Sequence, residues 1–202
     1  MSCDEKKNIF NLANIVTTFR LIVSPIFIFL LVYVYNFDNY SPWLVWTIAI
    51  LYMLAAASDK LDGYWARKYD LVTVYGKIVD PIADKCLVLG GFIALSYIGV
   101  LPWYFTIIVT LRDLIITVLR ILLLKNVVIS ASNLAKWKTT FQMFLIFLFV
   151  FPFSYIFVFD TFAIFVYKCI FATVYWVAFA LTIITFVDYL YAMWLALKTN
   201  KK

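Results

Sequence analysis

Between Ser58 and Lys85 the chain reads S-D-K-L-D-G-Y-W-A-R-K-Y-D-L-V-T-V-Y-G-K-I-V-D-P-I-A-D-K. Four of these aspartates have helical spacing. Asp59 and Asp62 are three apart and Asp80 and Asp84 are four apart, so each pair shares one face of a helix. Histidine is absent and Glu5 is the only glutamate, which leaves acid–base and metal chemistry to aspartate. Asp80 and Asp84 interrupt an apolar run, where charge is expensive. An antiparallel helix pair can bring the two faces together, and four carboxylates in a poorly solvated place repel one another. Divalent cations remove that repulsion. Oxygen-only ligands suit Mg²⁺ or Mn²⁺, ions that usually also bind substrate phosphates. Two such ions sharing carboxylates can clamp a diphosphate and stabilise the charge that develops in phosphoryl transfer. Gly63 removes a side chain where a nucleotide could approach the backbone, Gly76 opens the next helix, and Arg67 can neutralise a phosphate or pair with an acid. Asp70 reads as an ordinary loop charge.

Two further polar groups stand out from apolar surroundings. Asn14, Thr17 and Arg20 fall at i, i+3 and i+6, close to one helix face, with Pro25 following. Helix capping and snorkelling account for them as well as a binding role does. Arg112 and Arg120 lie eight residues apart in an apolar helix, with Asp113 beside the first. Lys136, Lys138, Thr139 and Gln142 open the helix after it. An anionic ligand would explain arginine inside a span, and so would an internal Arg112–Asp113 pair with the lysines at lipid headgroups. Cys3, Cys86 and Cys169 have no metal or redox spacing.

The elements that carry these residues must sit in lipid. Hydrophobic residues make up 66% of the 202, against about 45–50% in a soluble domain, and mean hydropathy is +0.97. The sequence predicts an all-α polytopic membrane protein with six transmembrane helices. They run near 16–35, from 42 past 57, and near 78–98, 101–124, 134–151 and 162–197. We expect one domain over 1–202, with 1–13 a short cytoplasmic segment. No cleavage site follows the first span, so it reads as a retained helix.

The net charge of +6 lies beside apolar spans, which fits anionic lipids and not nucleic acid. Lys6, Lys7 and Arg20, the connection with Lys60, Arg67, Lys68 and Lys77, that with Lys125, Lys136 and Lys138, and the C-terminal lysines all fall on one side. That side is cytoplasmic, so both termini and the aspartates face the cytoplasm of a cell-membrane protein. Lys168 does not fit the pattern, and Asp188 has no evident role. A small transporter would carry polar groups at mid-membrane in several helices. Here they gather at helix ends, which disfavours that reading and leaves an inactive scaffold as the other non-enzymatic alternative.

Asp59-x2-Asp62-Gly63-x2-Ala66-Arg67-x8-Gly76-x3-Asp80-x3-Asp84 resembles the full signature of the CDP-alcohol phosphotransferases. The resemblance implies a six-helix membrane fold, a cleft open to the cytoplasm and a homodimer. It implies that the first three aspartates chiefly bind two metal ions. Asp84 would be the base for the acceptor hydroxyl, and Gly63 and Ala66 would make room for cytidine. N-x2-T-x2-R-x4-P, R-D-x6-R and K-x-K-T-x2-Q are similar to the glycerophosphate-accepting branch of that family, although Ala135 stands where glycine is usual. That similarity implies CDP-diacylglycerol as donor and glycerol 3-phosphate as acceptor. Asn14, Thr17, Gly63, Ala66, Arg67 and Gly76 would lie on the CDP-lipid, and Arg112, Arg120, Lys136 and Lys138 on the acceptor phosphate. The main rival within the family is a cardiolipin synthase, which takes phosphatidylglycerol; an inositol-phosphate acceptor fits less well.

Overall fold

The computed structural model describes residues 12–37, 40–68, 74–123, 133–153 and 161–199. All its regular elements there are helices: α1 (Leu12–Asn36), α2 (Pro42–Lys68), α3 (Val74–Tyr97), α4 (Trp103–Leu123), α5 (Asn133–Val150) and α6 (Thr161–Thr199). Each covers a segment where apolar length alone predicts a span. The largest extension is in α2, which continues through Asp59 and Asp62 to Lys68. Side chains of residues 12–15, 59–82, Asp84 and Arg120 lie outside the described set, as do Lys6, Lys7, Asp70, Lys125, Asp160, Lys201 and Lys202.

The chain divides into two compact units. The first is Met1–Leu101 with Phe149–Ile156, the second Pro102–Leu148 with Phe157–Lys202. In the first, α1 packs on both α2 and α3. Thr17, Arg20, Ser24, Phe27, Leu31 and Val34 are all buried, and their alternating three- and four-residue steps make one continuous face. Phe27 meets Tyr52 of α2 with ring centroids 5.4 Å apart. A Cβ on Gly90 of α3 would meet the far end of the Ile28 side chain, so α1 and α3 come close at this position. Pro25 removes one backbone donor from α1, and Ser24 donates its hydroxyl to the Arg20 carbonyl at 2.8 Å. Gly99, at φ +80°, ends α3 in the left-handed conformation. It lets Val100 N–H return to the Leu95 carbonyl at 2.9 Å.

In the second unit α4 packs on α6. Phe105 sits 4.9 Å from Tyr175 and 5.9 Å from Phe179, centroid to centroid. Arg112, two turns on, reaches Thr185, so the two helices run parallel at a steady offset. α5 runs against both: Lys138 meets Asp113, Gln142 meets Thr182, and the Leu148 carbonyl accepts from Tyr167.

Among the described residues, Val16–Asn36 and Thr161–Leu195 are long and apolar enough to cross a bilayer. The apolar parts of α2 and α3, Pro42–Ser58 and Lys85–Tyr97, are shorter because charge occupies the rest of each helix. Large apolar side chains face outward throughout, among them Trp43 (83% exposed), Phe162 (74%) and Trp176 (60%). Water would penalise that surface heavily, and the apolar helices point to a membrane protein.

Candidate active site

The two aspartate pairs enter through helix ends. α2 carries Asp59 and Asp62 in its last three turns, and α3 carries Asp80 and Asp84 in its first three. Their level along the unit follows from two described contacts. The connection after α1 is short, so α1 and α2 are antiparallel neighbours, and Phe27 opposite Tyr52 sets their register. At one helical rise per residue, Arg20 then stands level with Asp59, and Thr17 with Asp62. A second short connection returns α3 to the direction of α1. Ile28 against Gly90 places the backbone of Asp80 and Asp84 on either side of the Arg20 level. On straight helices the four backbone positions would fall within about 8 Å along the α1 axis. The carboxylates themselves are outside the described side chains, and so are Asn14, Gly63, Ala66, Arg67 and Gly76. Thr17 and Arg20 are each 1% exposed on the face that α1 turns inward. Snorkelling therefore does not account for Arg20.

The donor set fits a hard divalent cation. It is all carboxylate oxygen, repeated at one-turn spacing on two helices, with no nitrogen or sulfur donor.

The second unit holds a polar ladder across three helices. Asp113 Oδ1 accepts from Arg112 Nη1 at 2.8 Å and from Lys138 Nζ at 2.5 Å. Arg112 Nη2 donates to Thr185 Oγ1 at 2.8 Å. One turn earlier in α6, Thr182 Oγ1 accepts from Gln142 Nε2 at 3.2 Å. Each threonine passes its own proton back to a helix carbonyl, Thr185 to Leu181 and Thr182 to Ala178, which leaves a lone pair facing the donor. Lys138 and Gln142 are buried, whereas Lys136 is exposed next to Trp137. The internal Arg112–Asp113 pair expected as one alternative is present, and Lys138 joins it inside the unit instead of lying at the headgroups. Sequence reasoning missed Thr182 and Thr185. Their only signal was T-x2-T, three apart in an apolar helix.

A family model described as CDP-alcohol phosphatidyltransferase matches residues 10–187. A Mycobacterium tuberculosis (strain ATCC 25618 / H37Rv) protein named probable phosphatidylglycerophosphate synthase is 40% identical over 149 residues, 74% of this chain and 70% of its own length. Two proteins named CDP-diacylglycerol–glycerol-3-phosphate 3-phosphatidyltransferase are also similar. That of Mycoplasma pneumoniae (strain ATCC 29342 / M129 / Subtype 1) is 37% identical over 156 residues, 76% of this chain and 69% of its own. That of Bacillus subtilis (strain 168) is 32% identical over 202 residues, 95% of this chain and 99% of its own.

Proposed function

This chain belongs to the CDP-alcohol phosphatidyltransferase family, and on that premise we propose that it transfers the phosphatidyl group of CDP-diacylglycerol to glycerol 3-phosphate. The products are phosphatidylglycerophosphate and CMP. The observation that carries the acceptor is the match with the Bacillus protein over 95% of this chain, a protein whose name states both substrates.

Asp59, Asp62, Asp80 and Asp84 would hold two Mg²⁺ or Mn²⁺ ions, as their donor type and common level suggest. When bound, the metals supply positive charge to the diphosphate of the donor. Asp84 takes the proton from the acceptor hydroxyl. That oxygen forms a bond to the lipid-side phosphorus, the bond from this phosphorus to the CMP oxygen breaks, and CMP carries away the released electron pair. Nucleotide and lipid diphosphate lie along Asn14, Thr17, Gly63, Ala66, Arg67 and Gly76, which supply polar donors and small residues. Arg112, Arg120, Lys136 and Lys138 receive the acceptor phosphate.

All six helices span the cell membrane as one domain, with both termini and the site in the cytoplasm, and two copies form a homodimer. The family match supports a single domain because it runs through both compact units. The exposed Lys168 and Asp188 of α6 support the span limits. They are about 20 residues, or about 30 Å, apart, the thickness of a hydrocarbon core. Lys168 then lies at the outer border and Asp188 at the inner one, which accounts for both charges. Tyr191, Trp194 and Lys198, with Lys198 Nζ 5.1 Å from the Trp194 ring centre, fall in the interfacial zone beyond.

The deciding experiment gives purified protein CDP-diacylglycerol with each acceptor separately and follows CMP. Release with glycerol 3-phosphate is expected. Release with phosphatidylglycerol alone would make the protein a cardiolipin synthase.

A further inference from the structure

In the second unit a single carboxylate oxygen organises two cations from different helices. Arg112 Nη1 and Lys138 Nζ both donate to Asp113 Oδ1. They cannot be farther apart than those two bonds laid end to end, a spacing that suits two oxygens of one phosphate. The side chains of Arg112, Lys138 and Asp113 are only 12%, 3% and 16% exposed. Two cations so placed repel strongly when no anion lies between them. One carboxylate cancels one of the two charges, so the group retains a net positive charge in a poorly solvated place. Arg112 is held from a second side by Thr185, whose proton is committed to the Leu181 carbonyl. Each terminal nitrogen has a partner, and the buried Nε has none.

We propose that Asp113 is a positioning residue for the acceptor. It assembles Arg112 and Lys138 into one anion-receiving pair before the acceptor arrives, and Thr185 sets the rotation of the guanidinium. This inference rests on the acceptor reading above and deepens it. It accounts for an acid placed among cations that must receive an anion. The cost of bringing two cations together is met during folding by Asp113 and not at binding by the substrate. The partnerless Arg112 Nε points to the ligand this pair would receive, a phosphate monoester, which carries about two negative charges at neutral pH. Thr182 and Gln142 brace α5 against α6 one turn away and keep Lys138 in register with Arg112.

The test is steady-state kinetics on the full-length protein in detergent–lipid micelles, varying each substrate in turn. Asp113→Asn keeps the shape but loses the charge. It should raise the KM for glycerol 3-phosphate by about ten-fold or more, with the KM for CDP-diacylglycerol within about two-fold and kcat less affected than the acceptor KM. Asp113→Glu restores the charge one methylene away and should recover part of the loss. The inhibition constant of inorganic phosphate against glycerol 3-phosphate should rise in parallel. If Asp113→Asn is not recovered folded, Thr185→Val carries the test, with a smaller rise in the same KM alone. An unchanged acceptor KM in the folded variants overturns the proposal. So does a lowered one, which would mean that Asp113 competes with the phosphate for the cations. Equal rises in both KM values reduce Asp113 to a purely structural residue and overturn it as well. A wild-type protein that releases no CMP with glycerol 3-phosphate refutes the function itself and removes this inference with it. Wild-type turnover with an unaffected Asp113→Asn refutes the positioning role alone.

Discussion

Phe27 of α1 and Tyr52 of α2 pack with ring centroids 5.4 Å apart, and that contact sets Arg20 level with Asp59. Arg20 is 1% exposed, and a buried arginine needs anionic or polar partners. We expect Arg20→Ala to lower kcat/KM with CDP-diacylglycerol by about ten-fold or more, while Arg20→Lys recovers little because the planar fork is lost. CMP release at varied donor concentration measures it.

Metal removal should be decisive and reversible. Four carboxylates on two helices, with no nitrogen or sulfur donor, predict that excess chelator abolishes CMP release and that Mg²⁺ or Mn²⁺ restores it. Full activity in excess EDTA would exclude the proposed arrangement of charges.

The aspartates should separate by role. Asp84→Asn removes the proposed base and is expected to lower turnover by at least about a hundred-fold while donor binding largely survives. Asp59→Asn and Asp80→Asn should lose donor and metal binding as well. Isothermal titration with a CDP-lipid analogue beside turnover distinguishes the two patterns, and near-normal turnover of Asp84→Asn would assign the base elsewhere.

The proposed border positions of Lys168 and Asp188 in α6 make a topological prediction. Single cysteines at Lys168 and Asp188, in a background free of other cysteines, should react with a membrane-impermeant maleimide from opposite sides, Lys168→Cys from outside and Asp188→Cys from the cytoplasm. Labelling of both from one side would contradict the proposed span.

Arg120 and Lys136 extend the acceptor reading beyond the described ion pairs. A hydrogen bond to a charged group contributes about 1.5–3 kcal/mol, so Arg120→Ala should raise the KM for glycerol 3-phosphate about ten- to a hundred-fold and that for CDP-diacylglycerol far less. Equal effects on both substrates would place Arg120 outside the acceptor site.

Close approach of α1 and α3 at Gly90 is open to a stability test. The obstacle to a Cβ is the far end of the Ile28 side chain, which can turn aside, so Gly90→Ala should be mild. Gly90→Leu must push the helices apart, at about 1–3 kcal/mol. Thermal unfolding in detergent should show a lower midpoint for the leucine variant only.

The six helices were legible in the sequence, and so was the spacing that suggests an aspartate site. Helical period and apolar length are local properties, and charges such as Asp80 and Asp84 in an apolar run stand out because lipid makes them costly. The full spacing from Asp59 to Asp84 was legible for the same reason. Tertiary structure alone decided who partners whom. Arg112 and Asp113 are neighbours in sequence, but nothing local says that Lys138 completes the pair, or that Thr185, 73 residues from Arg112, holds its other nitrogen. Thr182 and Thr185 went unnoticed because a threonine in an apolar helix costs little and leaves no compositional trace. Their importance comes from the rotation and offset of α6 against α4 and α5. That offset is set by side-chain packing, as where Phe105 meets Tyr175 and Phe179. Likewise the burial of Thr17 and Arg20 comes from the packing of α1 on α2 and α3, which their spacing alone does not reveal. A one-dimensional pattern records what each residue costs in its own segment, whereas the relative placement of helices depends on how whole faces interlock.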